Sequence, residues 1–514
     1  MKEFNIAGTC IPSKHYMVDI SKKIDDVIVR LIKKGKYFTI NRPRQYGKTT
    51  TMYLLDKKLK DDYTLLFISF EGLGEVSFEN EKNLSQTFIN LLKRELKFKK
   101  DNKMVEFIDK NYKVTNFEEL NEFITDLILE MDKKVILMID EVDKNSNNQL
   151  FLHFIGMLRD KYLKMNEERD YTFHNVILAG VHDVKNMKLK LRQNEERQYN
   201  SPWNIAVDFD IDMSFSIEEI KTMLEDYEKE IKTGMNIDLI AKKLREFTSG
   251  YPFLVSKLCK TIDEKLNREF TEEGLEKSMK LLLDEKNTLF DDVIKNIENN
   301  SDFKRLLEEL ILEGKKIIYN VDAHELGLMY GILKKDGSNI AVSNKIFEIR
   351  IYNYLLAMRD MKKGSALTYE FRTNFIDENG NLMMKTVLRK FQELMKAEYR
   401  DRDKKFIERE GRLLFLSFLR PIINGVGFYF VEPETRQDNR MDIVVTYNRK
   451  KYIIELKIWH GKVKKEDGEK QLASYLESQS EEEGYLVLYS FNKKIGYTAE
   501  DILCEGKKIF EVVV

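Results

Sequence analysis

Three sets of residues in this chain have types and spacings that could do chemistry. In NRMDIVVTYNRKKYIIELKIW they are Asp442, Glu455 and Lys457. If this run folds as two strands joined by the polar turn NRKK, the two-residue period puts Glu455 and Lys457 on one face. Asp442, on the preceding strand, would then lie beside them. Two carboxylates and a lysine converging at a sheet edge suit metal-assisted phosphodiester hydrolysis. Asp442 and Glu455 would bind Mg²⁺, which polarises the phosphate, and Lys457 would steady the attacking water or hydroxide. The neighbours Ile453, Ile454, Leu456 and Ile458 are apolar, so charges among them need a reason. At a wet sheet edge, loss of one carboxylate should cost little stability.

The second set is RPRQYGKT, residues 42–49. A phosphate-binding loop usually reads G-x-x-x-x-G-K-[ST], and here Arg42 stands in the place of the first glycine. The loop Arg44, Gln45, Tyr46 and Gly47, with Thr50 after it, would wrap phosphate with backbone N–H groups at a helix N-terminus. Lys48 would reach the terminal phosphates, and the Thr49 hydroxyl would ligate Mg²⁺. Arg42 restricts a position that commonly uses glycine's backbone freedom, while Pro43 fixes its own φ and gives the loop a different, rigid path. The third set is Asp140-Glu141, which ends the apolar run VILMI. There Asp140 would hold Mg²⁺ through water, and Glu141 would orient or deprotonate the attacking water. Together the second and third sets predict an ATP site.

The elements that must position these residues are legible in outline. YFTIN, TLLFISF, VILMID and NVILAGV are short apolar runs separated by helical patterns, which predicts a parallel sheet covered by helices. TTTMYLLDKKL places Met52, Leu55 and Leu59 on one helical face directly after the loop. His182 and Asp183 stand where a polar sensor would follow, and His15 or Tyr16 is the expected clasp on the adenine side. From about 206 to 290 the pattern is helical, broken by Gly250-Tyr251-Pro252. Residues 291–362 read as helices followed by a hairpin turning at Asp336-Gly337. That is a winged-helix pattern, with Lys334, Lys335, Lys345 and Arg350 as its local basic residues. After the linker MKKGSALTYE the last domain runs from 363 to 514. REGRLLFLSFLRPIING and GEKQLASYLES are helices on either side of its strands, the second carrying Gln471 and Tyr475 on one face. The expected fold class is thus α/β and multidomain: ATPase core 1–205, helical lid 206–290, winged helix 291–362, and a C-terminal α/β domain.

Composition narrows the function classes. The chain has 514 residues, room for three or four domains of roughly 100–200 residues. With 34% charged residues and a net charge of −1, any nucleic-acid surface must be local. No apolar run approaches the roughly 18 residues of a membrane helix, and MKEFNIAGTC has no signal-peptide core. Three scattered cysteines fit a reducing cytoplasm without a disulfide framework. Six dispersed histidines form no zinc pattern.

NRPRQYGKTT, LMIDEVDK, TSGYPFLV and RMDIVVTY…YIIELKIW…KQLASYL together resemble the bacterial AAA-ATPase-like proteins whose loop reads RPR-x-[YF]-GK-[ST]. Those proteins carry a C-terminal PD-(D/E)XK nuclease-like domain of restriction-endonuclease fold. The likeness covers nearly the whole chain, and Gly250-x-Pro252 is similar to the STAND branch, whose members act as switches. The resemblance implies ATP and Mg²⁺ at Lys48, Thr49, Asp140 and Glu141. It also implies a nuclease fold built on Asp442, Glu455, Lys457 and Gln471, with Glu410 or Glu408 as a first-helix acid. The partner it implies is nucleic acid, DNA ahead of RNA, with self-association through the ATPase domain a further expectation. Defence against phage or mobile DNA is the role such an architecture implies.

Overall fold

The computed structural model describes residues 2–111, 113–142, 149–181, 203–207, 209–312, 315–321, 323–363, 375–398, 408–423, 427–431, 443–448, 450–459, 462–490 and 496–514. The chain forms two compact units. One comprises residues 1–293 and 319–347, the other residues 294–318 and 348–514.

The first unit is an α/β domain around a parallel sheet. Its strands are β1 (Phe38–Asn41), β2 (Thr64–Ser69), β3 (Val135–Asp140) and β4 (Asn175–Gly180), in spatial order β1-β4-β3-β2. Phe38 aligns with Ile177, Ile136 with Asn175, and Ser69 with Asp140. All six residues of β3 are buried, so both faces of the sheet are covered, as an unbroken apolar strand requires. Helices α1 (Lys48–Leu59), α2 (Glu81–Phe98), α3 (Phe117–Glu130) and α4 (Gln149–Asn166) belong to this unit. Leu84, Phe88, Phe123, Phe151 and Phe154, from α2, α3 and α4, pack in one core with Leu66, Leu137 and Leu178 of the sheet. β3 lies inside the sheet and ends at Asp140, so its acid is delivered at the carboxyl edge, where α/β folds bind ligands.

Four further helices follow: α5 (Ile217–Ile231), α6 (Ile237–Thr248), α7 (Pro252–Lys265) and α8 (Glu272–Asp284). Their starts are chemically marked. Ser216 and Glu219 form a reciprocal capping box, Asn236 and Thr271 accept from the third backbone N–H, and Pro252 opens α7. Between α6 and α7, Gly250 has φ of 73°, and a Cβ there would lie 2.1 Å from the Phe215 carbonyl oxygen. Only glycine fits that bend. The first residues are stitched to these helices. Phe4 packs tilted and Tyr16 edge-on against Tyr227, each with ring centroids 5.0 Å apart, and the Tyr16 hydroxyl donates to Glu230 at 2.6 Å. The hairpin of β5 (Leu333–Asp336) and β6 (Asn339–Val342) turns through Gly337 at φ 57°, where the Asp-Gly pair predicts it.

The second unit holds a six-stranded mixed sheet: β7 (Gly427–Val431), β8 (Ile443–Tyr447), β9 (Lys450–Ile458), β10 (Glu483–Tyr489), β11 (Ala499–Cys504) and β12 (Lys507–Val513). The order is β11-β12-β10-β9-β8-β7, with β9–β10 and β10–β12 parallel. The expected hairpin is present as β8–β9, but β9 is an interior strand. This corrects the sheet-edge expectation: β10 pairs along the outer side of β9 after a helical crossover. Helices α9 (Met384–Glu398), α10 (Glu408–Ile423) and α11 (Lys462–Gln479) pack on this sheet. Among the described residues no helix is long and apolar enough to cross a membrane.

Candidate functional site

The loop after β1 ends at Gly47, the N-cap of α1, with φ of 84° and no side chain capping the helix. Nothing lies within 4 Å of where a Cβ would sit at Gly47, so the uncapped N–H groups at the start of α1 have open space beside them. Lys48, 8% exposed as a residue, donates from its ammonium to the carbonyls of Arg42 and Pro43, each at 3.0 Å. The Thr49 hydroxyl donates to Asp140 Oδ2 at 2.7 Å, and the Glu141 N–H donates to Asp140 Oδ1 at 2.9 Å. Glu141 adopts φ of 57°, an uncommon backbone state for a glutamate, immediately after the buried end of β3.

Arg42, the departure from the usual loop, is explained by what it holds. Its guanidinium donates to the carbonyls of Asn41, Phe209 and Ile211, each at 2.9 Å, and lies 5.3 Å from the Phe209 ring centroid. Burial lowers its pKa. A side chain thus bolts the loop to the segment at 209–211, in place of a glycine turn. The Arg44 carbonyl accepts from the Tyr251 hydroxyl at 2.6 Å, and its guanidinium pairs with Asp292 at 2.9 Å. Tyr46 packs edge-on against Tyr251, with ring centroids 4.8 Å apart, and burial pushes its pKa up to about 12.

Arg44, Gln45, Tyr46, Gly47, Lys48, Thr49, Thr50 and Glu141 all line one cavity of about 390 Å³. The sequence reading missed Glu71, which also lines it, and the apolar wall that includes Val18, Met213 and Phe253. It also missed the arm at Asn5–Cys10, tied to the loop helix by the Cys10 N–H donating to Thr50 Oγ1 at 3.1 Å. The expected clasp is corrected: neither His15 nor Tyr16 lines the cavity. His15 Nδ1 accepts from the Ile11 N–H at 2.9 Å, and Tyr16 is 2% exposed. His182 and Asp183 lie outside the described residues. An uncapped helix start, a lysine on loop carbonyls and a threonine–aspartate pair fit a nucleotide triphosphate with a divalent cation.

In the second unit, Glu455 is 1% exposed, and Lys457 Nζ lies 2.8 Å from its Oε1. The one-face expectation for this pair therefore holds geometrically. α11 lies close over Lys457, since a Cβ at Gly468 would sit 3.2 Å from Lys457 Cγ. Gln471, also on α11, donates to the Tyr475 hydroxyl. Asp442 lies outside the described residues, as does the side chain of Glu410, whose backbone belongs to α10. Among the described residues no three His, Cys, Asp or Glu side chains are grouped to hold a metal. Of the basic residues in the hairpin segment, Lys334 donates to Ser249 Oγ at 3.3 Å, and Lys335 lies over the Tyr319 ring.

Glu455, Leu486 and Glu511 occupy one register row across β9, β10 and β12, which gives a second buried acid on the same face. Glu511, 1% exposed, pairs with Lys465 of α11 at 2.7 Å, yet burial raises its pKa. A carboxyl with a raised folded-state pKa stabilises fully below its ordinary range, and that contribution is lost as pH rises through the raised value. Glu511→Gln should therefore flatten the fall in melting temperature between acid and neutral pH. An unchanged pH profile would show that Glu511 is not a source of that fall.

The sequence from 11 to 352 matches the family described as the AAA-like domain. A search of curated proteins finds no match. Among solved structures the chain is similar to the Walker-type ATPase of Pyrococcus abyssi, at 11% identity over 68% of this chain and 99% of that one, with a TM-score of 0.43. It is also similar to the Aeropyrum pernix ORC2 protein in its ADPNP–ADP complexes, at 12% identity over 70% and 98%, with a TM-score of 0.36. The Aeropyrum pernix ORC1 protein in complex with DNA matches at 12% identity over 67% and 94%, with a TM-score of 0.30.

Proposed function

Since the chain belongs to the AAA-like domain family, we propose that its loop binds and hydrolyses ATP to regulate a Mg²⁺-dependent nuclease in its C-terminal part. The nuclease would cleave nucleic acid, DNA ahead of RNA. The observation that carries the ATP reading is the Thr49–Asp140 bond beside Lys48 on the loop carbonyls. Lys48 exchanges those carbonyls for terminal phosphate oxygens, and the N–H groups at Gly47–Thr50 hold the rest of the phosphate chain. Thr49 and Asp140 would hold Mg²⁺, which supplies charge neutralisation at the phosphates when bound. Glu141, fixed by its own N–H on Asp140, orients the attacking water and takes its proton. The division proposed is an ATPase core at 1–205, a lid at 206–290, a winged helix at 291–362 and a PD-(D/E)XK domain at 363–514. A cytoplasmic location, self-association through the core and a role in defence against mobile DNA complete the proposal.

Glu141→Gln is expected to keep nucleotide affinity and to lose turnover by ~10²–10⁴-fold, the usual contribution of a positioned base. Calorimetry and phosphate release measure the two separately. Normal turnover would assign the water to another acid, with Glu71 the next candidate in the cavity.

For the nuclease, Asp442 and Glu455 would hold the cation, Lys457 would steady the nucleophile, and Gln471 and Glu410 would complete the site. The support is a buried glutamate paired with a lysine two residues on, inside a mixed sheet and under a helix. Plasmid cleavage with and without Mg²⁺ and ATP tests it directly. The second reading is an ATP-dependent switch or scaffold whose nuclease fold only binds DNA or a partner. The near-complete burial of Glu455 favours that reading, because a buried ion pair also serves structure alone. No cleavage of DNA or RNA under any nucleotide condition would establish it.

A further inference from the structure

Tyr251 stands between Gly250 and Pro252, in the bend from α6 into α7, and its backbone has little freedom there. Its N–H donates to the Thr248 carbonyl at 3.0 Å, and its ψ of 116° is the extended state that a following proline favours. Its ring packs edge-on against Tyr46 and Phe347, with centroids 4.8 and 5.5 Å away. A fixed backbone and a gripped ring aim the hydroxyl, which donates to the Arg44 carbonyl at 2.6 Å. Burial raises its pKa, so it remains a donor at neutral pH.

The Arg44 carbonyl shares a peptide plane with the Gln45 N–H. In a trans peptide these two groups point in opposite directions, so the bond to Tyr251 turns that N–H away from Tyr251. Arg44 and Gln45 line the nucleotide cavity, and Tyr251 does not. Tyr251 lines a second cavity instead, of about 330 Å³, which Tyr46 and Arg245 also line. Among the described residues the Gln45 N–H meets no acceptor. Gln45 also has φ of 57°, a left-handed state that glycine adopts freely and glutamine does not. From Arg42 to Tyr46 the loop holds no glycine, so a contact from outside must keep Gln45 in that state.

We propose that Tyr251 is a positioning residue for nucleotide binding: by holding the Arg44 carbonyl, its hydroxyl keeps the Gln45 peptide turned so that the N–H donates to phosphate. The proposal rests on the ATP reading of the loop. Arg42 anchors the start of a loop that lacks its first glycine, and Tyr251 orients its middle.

Tyr251→Phe keeps the ring between Tyr46 and Phe347 and removes only the hydroxyl. Titrated by calorimetry into the full chain, ATP should bind this variant ~10-fold more weakly, the loss of one charge-assisted hydrogen bond to phosphate. Gln45→Gly keeps the N–H and takes the left-handed state without help, so in that background Tyr251→Phe should cost less than ~3-fold. A general loosening of the fold would instead cost the same in both backgrounds, and that result would overturn the proposal. So would unchanged ATP affinity in Tyr251→Phe alone. Absence of ATP binding by the unaltered chain would remove the nucleotide reading itself, and this proposal with it.

Discussion

Lys48→Ala should raise the dissociation constant for ATP by ~100-fold or more. In the structure its ammonium bridges two loop carbonyls at 3.0 Å, and the residue is almost fully buried. Without the lysine, those carbonyl oxygens remain close to the phosphate path with no cation between them. Charge-assisted hydrogen bonds contribute about 1.5–3 kcal/mol each. Two such contacts to phosphate oxygens come to about 3 kcal/mol, and every 1.4 kcal/mol is about tenfold. Arg42 does not take its place, because both terminal nitrogens of its guanidinium are held on the carbonyls of Asn41, Phe209 and Ile211. Calorimetry on the variant, with circular dichroism to verify folding, checks the expectation. Wild-type affinity would remove the loop from the nucleotide site.

The second large effect is expected in the C-terminal unit. Glu455→Gln, Asp442→Ala and Lys457→Ala should each reduce DNA cleavage ~10³-fold or more, the several kcal/mol that metal-assisted polarisation supplies. ATP turnover should be unchanged in all three. Glu455→Gln is the cleanest of them, since it keeps the volume of a side chain that is 1% exposed. Lys457 is 26% exposed and reaches water when its partner is neutralised. Glu455→Ala would instead leave a gap under α11 and confuse folding with chemistry. Cleavage at the wild-type rate in Asp442→Ala would end the nuclease reading.

Much of the nucleotide cavity was legible because its polar groups come from contiguous stretches. Residues 44–50 sit on one loop and helix start, and Glu141 follows a strand whose six residues are all apolar or buried. The apolar wall was not legible, because it is assembled from the amino-terminal arm and from helices some two hundred residues away. Tyr16 has the chemistry of a base clasp, yet its hydroxyl is taken by Glu230, a partner no local pattern announces. Arg42 looked like a defect of the loop until Phe209 and Ile211 supplied its acceptors. The β8–β9 hairpin was readable from its alternation and turn. The burial of Glu455 was not, because it depends on β10 and β12, strands that pair only after a crossover.

Tyr46 stands in the wall of both cavities of the first unit. For ligand design this is an opening for fragment linking. Two weak fragments, one seated over the loop and one against Arg245, could be joined past the edge of a single ring. The second fragment would then bind at an effective concentration in the millimolar range set by the tether, and a well-matched tether gains ~10²–10⁴-fold over either fragment alone. Trimming the ring with Tyr46→Ala would widen the passage and lengthen the list of tethers that fit. Tyr46→Phe would keep the barrier and change only its hydroxyl, so the pair of variants separates the shape of the partition from its polarity.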